Sequence, residues 1–211
     1  MNQEMRDAYT LWLCSLKGLG SASLYRLWKE SGEDPDFAGV WYRMAGEGGG
    51  AGMTNRLWEI LRRGRKESSP QQLMEQLLNQ NIHFVWPGNP CYPVRLKNIP
   101  DPPFALYFRG RLPEEKRPSI GIVGTRMASP YGREQARRFA SALSAGGMQI
   151  ISGMAKGIDG IAGRGALDES DASFAVLGCG VDICYPKENR DLYEALCERG
   201  GVISEYRPGT E

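Results

Sequence analysis

From residue 118 onward short apolar runs alternate with amphipathic stretches, and no other feature constrains the fold as strongly. "SIGIVG" (119–124) is followed by a helical pattern over 130–145. That pattern opens at Ser129-Pro130, places Ala136, Phe139, Ala140 and Leu143 on one face, and stops at Gly146-Gly147. "QIISG" then leads into a second helical stretch, from about 157 to 168, and "SFAVLG" into a third, 190–199. In the third, Leu192, Ala195 and Leu196 point inward, Gly200-Gly201 is the stop, and "VISEY" closes the series. Strands alternating with helices of this length predict an α/β fold with a parallel sheet and right-handed crossovers. The strands are almost continuously apolar, which predicts a sheet covered on both faces.

The first part of the chain reads differently. Residues 7–29 form two short helical patterns around "LKGLG", with Leu13 and Leu16 before the turn and Leu24, Leu27 and Trp28 after it. Ser21 fits an N-cap, and two glycines permit a tight helix–helix connection. This is a helix-hairpin-helix pattern. Its backbone N–H groups suit a DNA phosphate, but a purely structural turn in a small helical bundle explains it equally well. "GEGGGAG" (46–52) follows no strand and reads as a flexible loop. "RRGRK" (62–66) is either a phosphate contact or a solvated helix end, and "ESSP" (67–70) is a linker that caps a helix over 70–80. Strand-like runs at Ile82–Trp86 and Phe104–Phe108 flank a stretch in which Pro93, Pro100, Pro102 and Pro103 forbid long helices. The expected division is a helical domain over 1–68 and an α/β domain over 69–211.

Composition narrows the function. The 211 residues carry a net charge of +1, and the first 100 hold 12 basic and 10 acidic side chains against 14 and 15 in the rest. Any polyanion site is therefore a local cluster and not a global field. No apolar run approaches the roughly 20 residues of a membrane span, and "MNQEMRDAYT" has no signal-peptide pattern. The expectation is a cytoplasmic protein with no membrane partner. Cys14, Cys91, Cys179, Cys184 and Cys197 are odd in number and lack metal-ligand spacing, so free thiols and no metal are expected. The single histidine, His83, sits in "NIHFVW" without a partner motif and reads as a half-buried structural residue, which leaves histidine-based nucleophilic catalysis without support.

In parallel sheets of this kind ligands sit at the carboxyl ends of the strands. Three strands end there in glycine turns: "GTR" (124–126), "SGMAKGID" (152–159) and "GCGVD" (178–182). Gly124, Gly153, Gly157 and Gly178 allow close backbone approach, and the following helix N-termini offer free N–H groups. Arg126 and Lys156 add two positive charges above adjacent strands, so an anion, with phosphate foremost, is the expected occupant. Asp159 suits the N-terminus of its helix, and Asp182 is placed to orient Arg126 or Lys156. Neither G-x-G-x-x-G nor G-x-x-x-x-G-K-[ST] is present, and no base or nucleophile stands out. The turns read as a binding site without catalysis and without a cofactor.

Taken in order, "IGIVGTR", "ISGMAKGIDGIAGRGAL", "AVLGCGVDICYPKEN" and "GGVISEYRPGT", with "YPVRLKNIPDPPFALYFRG" upstream, resemble the DNA-processing protein A (DprA, or Smf) family over essentially the whole chain. The resemblance implies a Rossmann-like domain preceded by a small helix-hairpin-helix or SAM-like helical domain. It also implies a non-enzymatic, sequence-independent single-stranded DNA-binding role in natural transformation, with loading of the RecA recombinase and a possible homodimer. The site residues it implies are Gly124, Thr125, Arg126, Ser152, Gly153, Lys156 and Gly157, supported by Asp159, Arg164, Gly178, Gly180 and Asp182.

Two departures stand out. Gly163 occupies the place of a histidine in the family's "AHRGAL". The sequence also ends at "SEYRPGTE", where the family pattern continues through further strands. The resulting expectations are a bare sheet edge at the fourth strand, reduced stability or pairing with another chain, and neither dimerisation nor RecA loading in the family manner. Two rivals stay open: a nucleotide hydrolase of the phosphoribohydrolase type, whose "PGGxGTxxE" motif is not found, and a remnant that binds no DNA.

Overall fold

A computed structural model describes residues 2–30, 37–43 and 54–211. The glycine-rich stretch 46–52 lies outside the described residues. Contacts divide the chain into two units: residues 1–92 with 100–105, and residues 93–99 with 106–211. The division therefore falls after Tyr92 and not at 68, and part of the proline-rich stretch belongs to the helical unit.

The reason is visible in that unit's packing. Helix α1 (Gln3–Ser15) is capped by Asn2, whose side chain accepts from Met5 N, and buries Tyr9, Trp12 and Leu13. Asp7 on this helix accepts from the Trp86 indole at 2.7 Å and from the Asn89 side chain at 2.9 Å. Trp86 and Phe104 join Tyr25 and Trp28 of α2 (Ser21–Glu30) in edge-on and tilted ring contacts of 5.0–6.3 Å. Large aromatic surfaces of this kind dominate a small core, so they bring strand β1 (His83–Val85) and the collar residues to the helices. His83 is exposed and not half-buried.

The turn between α1 and α2 uses Gly18 at φ +97°. Ser21 is not the cap expected of it. Leu24 N donates to Gly20 O, so the helical ladder begins from Gly20, and the Ser21 hydroxyl accepts from Phe104 N instead. Helices α3 (Phe37–Arg43), α4 (Asn55–Glu67) and α5 (Pro70–Asn79) follow, with Thr54 and Ser69 as the N-caps of α4 and α5. "RRGRK" lies inside α4. Its Gly64 is buried where a Cβ would stand 2.1 Å from Leu16 Cδ2, so α4 closes on the α1–α2 turn.

The second unit carries a sheet in the order β2-β6-β5-β4-β3. Strands β3 (Ser119–Gly121), β4 (Gln149–Ser152), β5 (Ser173–Val176) and β6 (Gly201–Ser204) are mutually parallel. Helices α7 (Pro130–Ala145), α8 (Ile158–Glu169) and α9 (Arg190–Arg199) connect them. The steps all run in one direction, so right-handed crossovers lay the three helices on the same face. A short α6 (Val94–Lys97) precedes β2 (Leu106–Gly110). From α6 the Arg95 guanidinium donates to the Ser119 hydroxyl and to the carbonyls of Glu115 and Arg117, which fixes the entry to β3.

Two expectations about the sheet are corrected. The bare edge is not at the fourth strand: β2 pairs antiparallel with β6, Tyr107 opposite Ser204 and Arg109 opposite Val202. The open edge is β3, which has β4 on one side only, and all three of its residues are exposed. The expected coverage of both faces is also not met: the three connecting helices lie on one face, and Ile120 of β3, Val123 just after it and Val176 of β5 are exposed. Phe139, expected inward, is exposed beside this edge. Ala136 and Ala140 do turn inward, and Ala140 packs with Ile150, Ala162 and Ala166 at the centre of the unit. These small side chains let α7 and α8 approach closely, to where a Cβ on Gly165 would lie 2.9 Å from Arg137 O.

The link from β2 to α9 carries a pH dependence. The buried Tyr193 hydroxyl accepts from Arg109 at 2.7 Å and donates to Val181 O at 2.6 Å. Burial is the main cause that pushes this phenol up to about 12. An unfolded tyrosine titrates near 10, so the unfolded chain loses its proton first. Tyr193 thus contributes stability that is intact below pH about 10 and is lost as pH rises through about 12. Urea midpoints between pH 9 and 11.5 are expected to fall more steeply for the native chain than for Tyr193→Phe.

Candidate functional site: two basic turns at the carboxyl edge of the sheet

The strands β3, β4, β5 and β6 end on one side of the sheet, and the predicted site residues gather there. The first turn follows β3. Ile122 N donates to Ile151 O, after which the chain leaves the sheet through Val123 and Gly124. The Thr125 hydroxyl accepts from Met127 N and shapes the turn, and the Ser129 hydroxyl accepts from Gly132 N and starts α7. Arg126 is exposed and has no ion-pair or hydrogen-bond partner among the described residues.

The second turn follows β4. Ser152 is buried, and its hydroxyl donates to Ile122 O at 2.8 Å, so this group ties β4 to the end of β3 and does not face a ligand. Met154 is buried at φ +57°, an unusual conformation for a side chain of this size. Gly157, at φ +81°, supplies the reversal into α8.

The two turns touch through their backbones. A Cβ on Gly157 would lie 2.2 Å from Thr125 O and 2.7 Å from Arg126 O, and Ile158 N donates to Thr125 O at 3.2 Å. Asp159, 6% exposed, bridges the turns from the first turn of α8. One carboxylate oxygen accepts from Gly124 N and the other from Gly153 N, each at 3.1 Å. Gly124 and Gly153 therefore serve contact between the turns: their N–H groups point at Asp159, and a Cβ on Gly124 would meet Ile158 at 2.7 Å. Among the described residues the backbone N–H groups of Arg126, Lys156 and Gly157 have no acceptor. These amides and two side-chain cations are among the groups that this edge offers an anion.

Lys156 is not idle. Its Nζ lies 2.5 Å from a Glu188 carboxylate oxygen, and this hydrogen bond holds the Glu188 carboxyl below the usual range. Both side chains are more than half exposed, so water screens the pair.

The segment that carries Glu188 is anchored by a residue the sequence reading passed over. Asn189 is buried and donates to Met154 O at 2.8 Å and Ala155 O at 3.2 Å, while its own oxygen accepts from Arg164. Arg164 also grips both carboxylate oxygens of Asp191, whose carboxyl is held low by that hydrogen bond. Arg164 is therefore a structural tie from α8 to the segment before α9. The signal was present in "PKEN": an asparagine between a strand end and a helix start is the natural partner for two stranded carbonyls.

The third turn divides. Gly178 is exposed with nothing within 4 Å of a Cβ position, whereas Gly180 is buried and its N–H donates to Thr210 O. Asp182 does not orient Arg126 or Lys156. Its carboxylate accepts from Gly209 N at 2.9 Å, and among the described residues it pairs with neither cation. Burial raises the Cys179 and Cys184 thiols, which favours their protonated form. Gly163, the departure from the family histidine, faces Leu192 of α9 at 3.2 Å from a Cβ position and lies away from the basic turns.

The chain's sequence and fold are similar to those of known proteins. Residues 83–211 match the family described as DNA recombination-mediator protein A. The chain is 34% identical over 97% of its length to a Protein Smf of Synechocystis, of which it covers 52%. It is 37% identical over 57% of its length to the DNA processing protein DprA of Streptococcus pneumoniae, of which it covers 43%. The chain thus spans about half the length of the curated relatives it matches. The crystal structure of the S. pneumoniae DprA superposes with a TM-score of 0.75 at 26% identity, covering 97% of this chain and 69% of that one. A DNA processing protein A from Helicobacter pylori, described for its single-stranded DNA binding mode, superposes with a TM-score of 0.54 at 28% identity, covering 62% and 58%. Among the described residues no helix is long and apolar enough to cross a membrane.

Proposed function

The chain belongs to the DNA recombination-mediator protein A family, and from that premise we propose that its second unit binds single-stranded DNA through phosphates, without reading sequence, in the processing of DNA taken up by natural transformation. The observation that carries this reading is the seating of Gly157 on the carbonyls of Thr125 and Arg126, which joins the turns bearing Arg126 and Lys156. Two adjacent cations and free amides suit successive phosphates of an open strand, which a groove holds without enclosing it. The H. pylori relative, described as binding single-stranded DNA, supports the same substrate. Transfer of the bound strand to RecA, a homodimer, a non-enzymatic role and a cytoplasmic location are further proposals that rest on the family resemblance.

The test is anisotropy of labelled oligo-dT over a salt series. Affinity is expected to fall with salt, with a log–log slope of about −0.7 for each phosphate neutralised. Arg126→Ala and Lys156→Ala are each expected to weaken binding by about tenfold or more and to make the slope shallower. Glu188→Gln is expected to tighten binding, because it releases Lys156. Salt-independent binding, or variants that bind as the native chain does, would overturn the reading.

A further inference from the structure

Exposed tyrosines line the same edge as the cations. Tyr131, 72% exposed, stands in the first turn of α7 just after the Arg126 turn. Tyr185, 65% exposed, stands in the stretch after β5, ahead of Glu188 and Asn189, which pack on the Lys156 turn. Tyr206, 43% exposed, follows β6. Among the described residues none of the three rings packs on another ring, and none of the hydroxyls has a hydrogen-bond partner. Other tyrosines of this unit are spent otherwise: Tyr107 and Tyr193 are buried. Adjacent strands lie about 4.8 Å apart, so the ends of β3 and β6 are roughly 14 Å from one another. Flat amphipathic rings thus recur along the edge that also carries Arg126 and Lys156.

We propose that Tyr131, Tyr185 and Tyr206 form a stacking row for nucleobases. Phosphates of the strand then lie on the two basic turns while unpaired bases lie on the rings. The proposal rests on the phosphate-binding reading above and adds to it the property that selects single strands. A duplex offers the same phosphates with its base faces already stacked, and its bases cannot reach the row. Ring stacking tolerates every base and carries no sequence information. The hydroxyls are dispensable, because the ring face makes the contact.

The test compares three ligands of equal phosphate number on the 211-residue chain: oligo-dT, an abasic oligomer of the same backbone, and a blunt duplex. Oligo-dT is expected to bind at least about fivefold more tightly than the abasic oligomer, the low end of what one stacked base contributes. Tyr131→Ala and Tyr185→Ala are expected to erode that preference while leaving abasic binding unchanged, and Tyr131→Phe and Tyr185→Phe to retain it. Because these side chains are exposed, the alanine variants are expected to keep the native circular dichroism spectrum. Oligo-U binding with the same tyrosine dependence would extend the row to RNA. Equal binding of oligo-dT and abasic oligomer by the native chain would overturn the stacking row and leave the phosphate site standing. Binding of neither would remove the phosphate site and the row together.

Discussion

Asp159→Ala is expected to lower the unfolding free energy of the second unit by about 2–4 kcal/mol, because it strips the acceptor from two turn amides at once. The Gly124 and Gly153 N–H groups each donate to a different oxygen of this one carboxylate, so no single neighbour can replace it. Asp159→Asn retains one acceptor oxygen and is expected to lose about half as much. Urea unfolding followed by circular dichroism measures the loss. The chain has two units, and the transition of the second is the one to follow. An Asp159→Ala protein as stable as the native one would show that the bridge between the turns is dispensable.

Gly157→Ala is expected to cost about 3 kcal/mol or more. The residue adopts φ +81°, where an L side chain is strained, and its Cβ would press to 2.2 Å on a backbone carbonyl that cannot rotate away. Relief requires the two turns to separate, so oligo-dT affinity is expected to fall even at temperatures where the circular dichroism spectrum is intact. Gly178→Ala is the matched control. It ends a neighbouring strand with nothing within 4 Å of its Cβ position, and it is expected to change stability by less than about 0.5 kcal/mol. Equal effects at the two glycines would mean that contact between the turns does not set the site.

Much of the second unit was legible because its signals are local. Helix α7 starts and stops where Ser129-Pro130 and Gly146-Gly147 place it, and the parallel direction of β3 to β6 follows from the alternation, although their order in the sheet does not. The pairing of β2 with β6 was not legible, since nothing near Leu106–Gly110 announces a partner so far along the chain. The same limit hid the open edge at β3.

At the site, residue types were informative and their allegiances were not. Arg126 and Lys156 lie on turns in direct contact, as the glycine spacing suggested. Ser152, Asp182 and Arg164 instead hold the protein to itself through Ile122 O, Gly209 N and Asp191. A short polar side chain near a turn reads alike whether it faces a ligand or a neighbouring loop, and only three-dimensional contact separates the two.

The antiparallel strand β2 has a consequence for how the protein is made. Tyr107 pairs with Ser204 across nearly the whole of the second unit. During synthesis from the N-terminus, β2 emerges before β3, β4 and β5, and its ladder partner β6 emerges after them. Its ladder to β6 must wait while β3, β4 and β5 find one another, and the closure entropy of that long loop is met only when β6 arrives. Until β6 arrives, Leu106 and Tyr107 are nascent-chain surface that a ribosome-bound chaperone would be expected to shield.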